Sequence, residues 1–347
     1  MTQADTVNRQ WILNERPKGK PNEDTLKLVE KPAPSPADDR IVLRTEYLSL
    51  DPYMRGRMSD APSYAAPVEI GKVMIGATVS RVTSSDVDGF EVGDHVLGFN
   101  GWQDYAVSDG TGLTNLTSLG KSSAHLSWAL GILGMPGFTA WAGLQQIGAP
   151  KAGETIVVAA ATGPVGATVA QIGKLLGCRV VGIAGGPEKC AWAIDEFGID
   201  ACIDHKAEDF AEQLAGATPE GIDVYFENVG GKVLDAVIPR LNPNARVPVC
   251  GLVSQYNATS LPEGPDRMNW LMGQILRKRL TLRGFIIFED FGHLYPEFAD
   301  EMAGWVESGK IKYREEIIDG LENAPQAFIG LLDGENFGKR VIRVAQD

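Results

Sequence analysis

The sequence predicts an α/β protein in two domains, a doubly wound parallel sheet and a separate β-rich domain. Three observations carry the prediction. The apolar, β-branched run Thr155–Ala159 breaks into the glycine turn Ala160-Ala-Thr-Gly-Pro-Val-Gly166, and a helical pattern follows with Val169, Ile172, Leu175 and Leu176 on one face. From there strands and helices alternate, which is the pattern of a parallel sheet covered on both faces. Before it, from Asn8 to about Trp128, short apolar runs are separated by Pro, Gly and Asp turns, the pattern of a small barrel or folded sheet. A chain of 347 residues is also too long for one ordinary core.

In chain order, the first domain offers strands at Asp39–Glu46, Val73–Val82 and His95–Phe99, with a Gly93-Asp94 corner inside Phe90–Leu97. Lys31–Pro36 reads as an extended, exposed Pro-rich connector. Pro136-Gly137 then open a helix over Phe138–Ile147, and Gly148–Gly153 loop back toward the glycine-turn strand. Further strands are expected at Arg179–Ala184, Ala201–Asp204, Asp223–Val229, Arg246–Gly251 and Leu280–Ile287, with helices at Lys189–Phe197 and Lys232–Leu241. After Gly309, short strands at Tyr313–Ile317 and Gly338–Val344 return the chain to the first domain. The expected boundaries are 1–128 with 313–347 for the β-rich domain and 129–312 for the parallel one.

Strand, glycine turn and helix in that order form a phosphate-binding unit, because amides at the helix N-terminus have no partner within the helix and point at an anion. Gly163, Pro164, Val165, Gly166 and Ala167 are therefore the candidate pyrophosphate turn of a dinucleotide site. The second strand decides which dinucleotide. A ribose with free hydroxyls is usually held by an acidic residue at that strand's end, and here the chain reads Gly185-Gly186-Pro-Glu-Lys189. Glycine with a lysine close behind selects a 2′-phosphate, hence NADPH.

Composition narrows the class. A net charge of -13 argues against a nucleic-acid partner, which needs clustered Lys and Arg. No apolar run reaches membrane-spanning length and the first nine residues lack a secretory core, so a cytoplasmic protein with no membrane partner is expected. The four cysteines, Cys178, Cys190, Cys202 and Cys250, lie in or beside apolar segments and read as buried free thiols. Neither they nor His95, His125, His205 and His293 form a metal-ligand spacing, and no metal is expected.

Over nearly the whole chain these motifs resemble the medium-chain dehydrogenase/reductase superfamily. Within it they look most like the zinc-free leukotriene-B hydroxydehydrogenase/prostaglandin reductase group of 2-alkenal reductases. The resemblance rests on Leu48–Arg55, Gly134–Ala140, Glu227–Gly231, Cys250–Asn257 and Gly334–Lys339 in that order, and Tyr313–Pro325 looks most like the bacterial curcumin-reducing members. It implies a GroES-like barrel, a Rossmann domain and an active site in the cleft between them. It further implies that Lys189, beside Gly186, reaches the 2′-phosphate. Asn228, Cys250, Gly251, Leu252, Val253, Ser254, Gln255, Tyr256, Phe285, Ile286, Ile287 and Asn336 would line the rest of the cofactor. Relatives commonly carry Tyr where this chain has His205, a residue still able to donate to a phosphate. A homodimer is implied on the same ground.

The chemistry implied is hydride addition to the carbon β to a carbonyl, with an enolate oxygen that needs a positioned hydrogen-bond donor. Tyrosine donates while remaining neutral at pH 7. Tyr256 is the first candidate; Tyr53 and Tyr64 are expected to wall the pocket of a small conjugated carbonyl substrate, a 2-alkenal, another enone or curcumin. Two other readings fit the same fold: quinone reduction, and nucleotide binding without turnover.

Overall fold

The structure is a computed structural model and describes residues 6–111, 116–122, 124–262 and 264–345. The chain forms two compact units, residues 1–131 with 315–347 and residues 132–314.

In the first unit, β1 (Val7–Leu13) pairs antiparallel with β2 (Leu26–Pro32) as a separate ribbon. Lys31 and Pro32, at the start of the Pro-rich connector, thus close a ladder, with Pro32 at its end where no amide is needed. β3 (Ile41–Ser49) is followed by the short helix α1 (Tyr53–Arg57) and by β4 (Thr78–Ser85), β5 (His95–Gly98), β6 (Tyr105–Ser108) and β7 (Thr117–Gly120). Ile41–Arg44 of β3 pair with β6, whereas its far end pairs with a strand from the end of the chain, so this strand belongs to two parts of a bent sheet. The strand expected at Val73–Val82 begins only at Thr78. Its first half makes only an isolated bridge, Val73 to Ile12, and runs against the core, where a Cβ at Gly76 would lie 2.8 Å from Leu48 Cδ1 and 3.0 Å from the Trp102 ring. The Gly93-Asp94 corner is present, with Gly93 at φ 94° and the Asp94 carboxylate accepting from Glu91 N–H.

The second unit opens with α2 (Met135–Ala142), three residues earlier than the sequence indicates, and continues as a π-type turn over Gly143–Gly148. A side chain at Gly143 would meet Phe285 Cζ at 2.7 Å and Phe226 Cζ at 2.9 Å, so two aromatic rings press on this bare stretch of backbone. Then come β8 (Thr155–Ala159), α3 (Pro164–Leu175), β9 (Arg179–Ala184), α4 (Pro187–Phe197), β10 (Ala201–Asp204), α5 (Phe210–Ala217), β11 (Ile222–Phe226), α6 (Gly231–Val237) and β12 (Leu241–Val249). The unit closes with α7 (Met268–Lys278), β13 (Thr281–Gly284), α8 (Ile287–Phe291) and α9 (Tyr295–Glu307). All six strands are parallel in the order β10-β9-β8-β11-β12-β13, the doubly wound arrangement the sequence predicts. Every residue of β8 is buried, as expected of a central parallel strand covered on both faces. The strand expected to run to Ile287 stops at Gly284, because Phe285 turns inward against Phe226 and Phe291.

The chain then re-enters the first unit with β14 (Glu315–Asp319), α10 (Ala324–Leu332) and β15 (Lys339–Arg343). β15 lies between β14 and β3, and its Lys339 side chain, 1% exposed, pairs with Asp51 at 2.6 Å and donates to Leu50 O. All four cysteines are free; Cys178 and Cys190 are buried, while Cys202 and Cys250 are only half-buried, which corrects the expectation of full burial for those two. Among the described residues no helix is long and apolar enough to cross a membrane.

Candidate cofactor and substrate site

In a doubly wound sheet, ligands bind beyond the carboxyl ends of the strands where the order reverses, here between β8 and β11. The loop after β8 is built tightly. Ala160 sits at φ 52°, a left-handed conformation that turns the chain sharply out of the strand. Gly163 N–H donates to Ala160 O at 2.9 Å and begins α3 in an extended conformation, with Pro164 at the first helical position, where a missing amide costs nothing. A Cβ at Gly166 would lie 2.2 Å from Ala160 O and 2.7 Å from Ala160 C, so only glycine lets the helix sit against its own entry turn. Val165 and Gly166, in the first turn, thereby bring their amides to the strand end, while Ala167 N–H is already bonded to Gly163 O. No side chain caps α3, which leaves that end open to an anion.

The adjoining loop after β9 carries positive charge. Gly186, at φ 102°, donates its amide to Asp204 Oδ1 at 2.8 Å, and Lys206 N–H donates to the same oxygen at 2.9 Å. The Asp204 carboxylate is therefore engaged in bracing two turns. A Cβ at Gly185 would fall 3.1 Å from His205 Nε2 and 3.4 Å from Lys206 Cε, so both side chains lie against the glycine pair. Burial lowers the His205 pKa below the usual range against the pull of Asp204, and the charges of Lys206 and Lys189 lower it further. Lys189, on the first turn of α4, thus shares a cationic neighbourhood with Lys206 and His205. Sequence reading missed Lys206; a second lysine directly after His205, at a strand's carboxyl end, was the available signal.

The carboxyl ends of β11 and β12 are tied together by Glu227, which is 1% exposed. Its Oε1 accepts from Val229 N–H at 2.6 Å, Gly230 N–H at 2.8 Å and the Tyr225 hydroxyl at 3.0 Å, while its carbonyl accepts from Cys250 and Gly251. Its Oε2 is buried with no partner among the described residues, and burial raises its pKa despite those donors. This residue, too, was overlooked, since a lone Glu at a strand end carries no pattern. Asn228 reaches across the sheet and donates to Ala159 O at 2.8 Å, which fixes the end of β11 against the glycine turn after β8. Beyond β12, Leu252–Gln255 curl back under Val229, whose carbonyl accepts both the amide and the hydroxyl of Ser254. This curl sets the Tyr256 hydroxyl 3.2 Å from where a Cβ at Gly251 would be. Burial, then the Glu227 charge, push the Cys250 thiol up to about 12. Phe285 and Ile287 are buried in this unit's core, so only their backbone and Ile286 remain to face a ligand.

In the first unit, Tyr53 begins α1. Its hydroxyl is buried without a partner among the described residues, and burial with the nearby Asp51 charge raises its pKa, so it stays protonated. Tyr64 is 53% exposed, and the Arg57 guanidinium lies over both rings, 5.7 Å from Tyr53 and 4.7 Å from Tyr64. Asn336 lies in the loop between α10 and β15 and donates to Gly338 O. A cavity of about 380 Å³ beside Arg9, Arg44 and Glu322 is lined by none of these residues. Among the described residues, no three His, Cys, Asp or Glu side chains are grouped to hold a metal ion.

Comparison with known proteins bears on both units. Residues 9–116 match the family described as the N-terminal domain of oxidoreductase, and residues 164–304 match the family described as zinc-binding dehydrogenase. The chain is 62% identical over 347 residues, all of both chains, to the NADPH-dependent curcumin reductase of Escherichia coli. It is 39% identical to the NADP-dependent 2-alkenal reductase of Nicotiana tabacum, over 98% of each chain. A crystal structure of CurA from Vibrio vulnificus in complex with NADPH superposes with a TM-score of 0.95 at 61% identity, covering 98% of this chain and all of that one.

Proposed function

Because the chain belongs to the medium-chain dehydrogenase/reductase superfamily, in its group of 2-alkenal and prostaglandin reductases, we propose that it reduces the C=C bond of α,β-unsaturated ketones and aldehydes with NADPH. The observation that carries this reading is end-to-end likeness to a curcumin reductase in a chain that also keeps a glycine-built phosphate turn beside a cationic one.

The residues fit the cofactor. A Cβ at Gly166 would strike Ala160 O, so glycine alone keeps the turn tight, and the uncapped first-turn amides of Val165 and Gly166 are the groups that would receive a pyrophosphate. Lys189, Lys206 and His205 form the subsite for a 2′-phosphate. Asn228, the curl from Cys250 to Tyr256, Ile286 with the backbone of Phe285 and Ile287, and Asn336 hold the remainder. Bound NADPH supplies a hydride to the carbon β to the carbonyl. The chain itself orients the substrate and stabilises the charge that develops on the carbonyl oxygen. Tyr256 donates its hydroxyl hydrogen to that oxygen, or to a hydroxyl that does so, and remains neutral throughout. Tyr53 and Tyr64 present flat faces to a conjugated substrate. The reading includes no metal requirement, so prolonged dialysis against a strong chelator should leave activity intact.

The reading includes a homodimer in the cytoplasm. β13 is the outermost strand of its sheet, and α7 beside it buries none of its residues, with Met268, Met272 and Leu276 at least 55% exposed. Four free thiols agree with a reducing compartment. The deciding assay follows NADPH oxidation with curcumin, a 2-alkenal and a simple quinone in parallel. Reduction of the enones with product lacking the C=C bond is expected; turnover of the quinone alone would overturn the reading.

A further inference from the structure

Glu227 directly follows β11 and folds its side chain onto the turn that comes next. That turn needs holding, because Gly230 and Gly231 stand in succession at φ 75° and 56° and α6 starts from them. Glu227 Oε1 accepts from the amides of Val229 and Gly230 at 2.6 and 2.8 Å. The same turn seats the curl after β12. Val229 O accepts from Ser254 N–H at 3.1 Å and from the Ser254 hydroxyl at 2.6 Å, and Asn228 O accepts from Val253 N–H at 3.3 Å. A Cβ at Gly231 would lie 3.1 Å from Ser254 Oγ and 3.3 Å from Gln255 Nε2, so the curl packs on the bare glycine. Tyr256 completes the series by donating its amide to Val253 O at 3.3 Å. A short run of hydrogen bonds and glycine contacts thus leads from the Glu227 carboxyl to the Tyr256 backbone. Stability does not account for an acid at this place, since burial holds its pKa above the usual value and the fold loses stability as the group ionises.

We propose that Glu227 is a positioning residue for hydride transfer: by fixing the turn from Val229 to Gly231 it sets the curl that carries Tyr256, and with it the place of the Tyr256 hydroxyl. The proposal rests on Tyr256 as the donor to the developing oxyanion. Glu227 itself acts only on the turn's amides. A hydrogen-bond donor stabilises developing charge only from the right position, so a loosened curl lowers the rate even while the protein stays folded.

The test is a double-mutant cycle on single-turnover hydride transfer, with NADPH and an enone both saturating. Glu227→Leu, which fills a similar space and accepts no hydrogen bond, should slow the step by about tenfold. Glu227→Gln keeps an oxygen for the two amides and should stay within about threefold of wild type. In the Tyr256→Phe background, Glu227→Leu should slow the step by less than about twofold, because the hydroxyl it positions is already gone. Gly173→Ala, a crowding change elsewhere in the same unit, controls for lost stability and should leave the rate unchanged. If the Leu variant does not fold, Glu227→Asp, too short to reach both amides, takes its place in the cycle. An unchanged rate in Glu227→Leu, losses that multiply in the double variant, or a Gln variant as slow as the Leu variant each overturn the positioning role. A Tyr256→Phe rate equal to wild type removes the donor reading and the proposal with it, while wild-type turnover upholds the reductase. Failure of the wild-type protein to reduce any enone overturns all three.

Discussion

Replacing Gly166 by alanine tests the phosphate turn most directly. The added Cβ would sit 2.2 Å from Ala160 O, more than about 1 Å inside ordinary non-bonded contact, and 3.0 Å from Ala161 Cα. Both neighbours are backbone, and Ala160 is already in a left-handed conformation, so the strain cannot be relieved by a side-chain rotation. Overpacking of this kind costs about 1–3 kcal/mol, to be read as a fall in Tm of about 2–4 °C per kcal/mol. Moving the turn also misdirects the amides proposed to face the pyrophosphate. Loss of one charge-assisted hydrogen bond, about 1.5–3 kcal/mol, should weaken NADPH by roughly tenfold to a hundredfold in a fluorescence titration. Gly173→Ala is the control on the same helix. Its Cβ would meet only the flexible ends of Ile156 and Val180, at 2.9 Å, so it should lower Tm and leave NADPH affinity unchanged. Wild-type affinity in Gly166→Ala, or equal binding losses in both variants, would refute the argument.

Further outcomes are expected from single substitutions. Lys189→Ala and Lys206→Ala should each weaken NADPH by about tenfold and leave NADH nearly unaffected, as measured by cofactor titration. Tyr256→Phe should lower single-turnover hydride transfer by roughly tenfold with a smaller change in NADPH affinity, whereas Tyr53→Phe, which removes a buried unpartnered hydroxyl, should raise stability by about 1 kcal/mol in urea. Glu227 has a folded pKa above its unfolded value of about 4.3, so the native state binds the extra proton and stability falls as pH rises through that window. Because Gln does not titrate, the stability of Glu227→Gln relative to wild type should climb from about pH 4 upward, by thermal melts across pH. Lys339→Met leaves the buried Asp51 carboxylate without its cation and with only the Ser49 hydroxyl donating to it, and chemical denaturation should register a loss of about 3 kcal/mol.

How far the sequence could be read depended on whether a local pattern carried the information. The run from Thr155 to Ala167 announces itself because strand, glycine turn and helix are contiguous, and Gly185-Gly186 with Lys189 follows at a fixed distance. The edges of elements were harder. Nothing local says that Val73–Ala77 will be reduced to an isolated bridge; its backbone is taken up by Trp11 and Trp102, distant in the chain. The inward turn of Phe285 likewise depends on Phe226, far away in the chain. Glu227 and Arg57 were illegible for a different reason. Each is a common residue type whose meaning lies in its surroundings, a carboxylate with one oxygen stranded in the interior and a guanidinium with rings in place of an acid.

The buried bond from Lys339 to Asp51 also dictates when the first unit can be finished. Its partners are 288 positions apart, and β15 fills the place between β3 and β14 only after everything in between has been made. At about 5–20 residues per second, a ribosome leaves the open side of β3 and the Asp51 carboxylate waiting for roughly 15–60 s. The parallel-sheet unit, contiguous from 132 to 314, meets no such delay. A nascent chain stalled just short of Lys339 should therefore hold a protease-resistant second unit and a first unit still open to cleavage and chaperone capture.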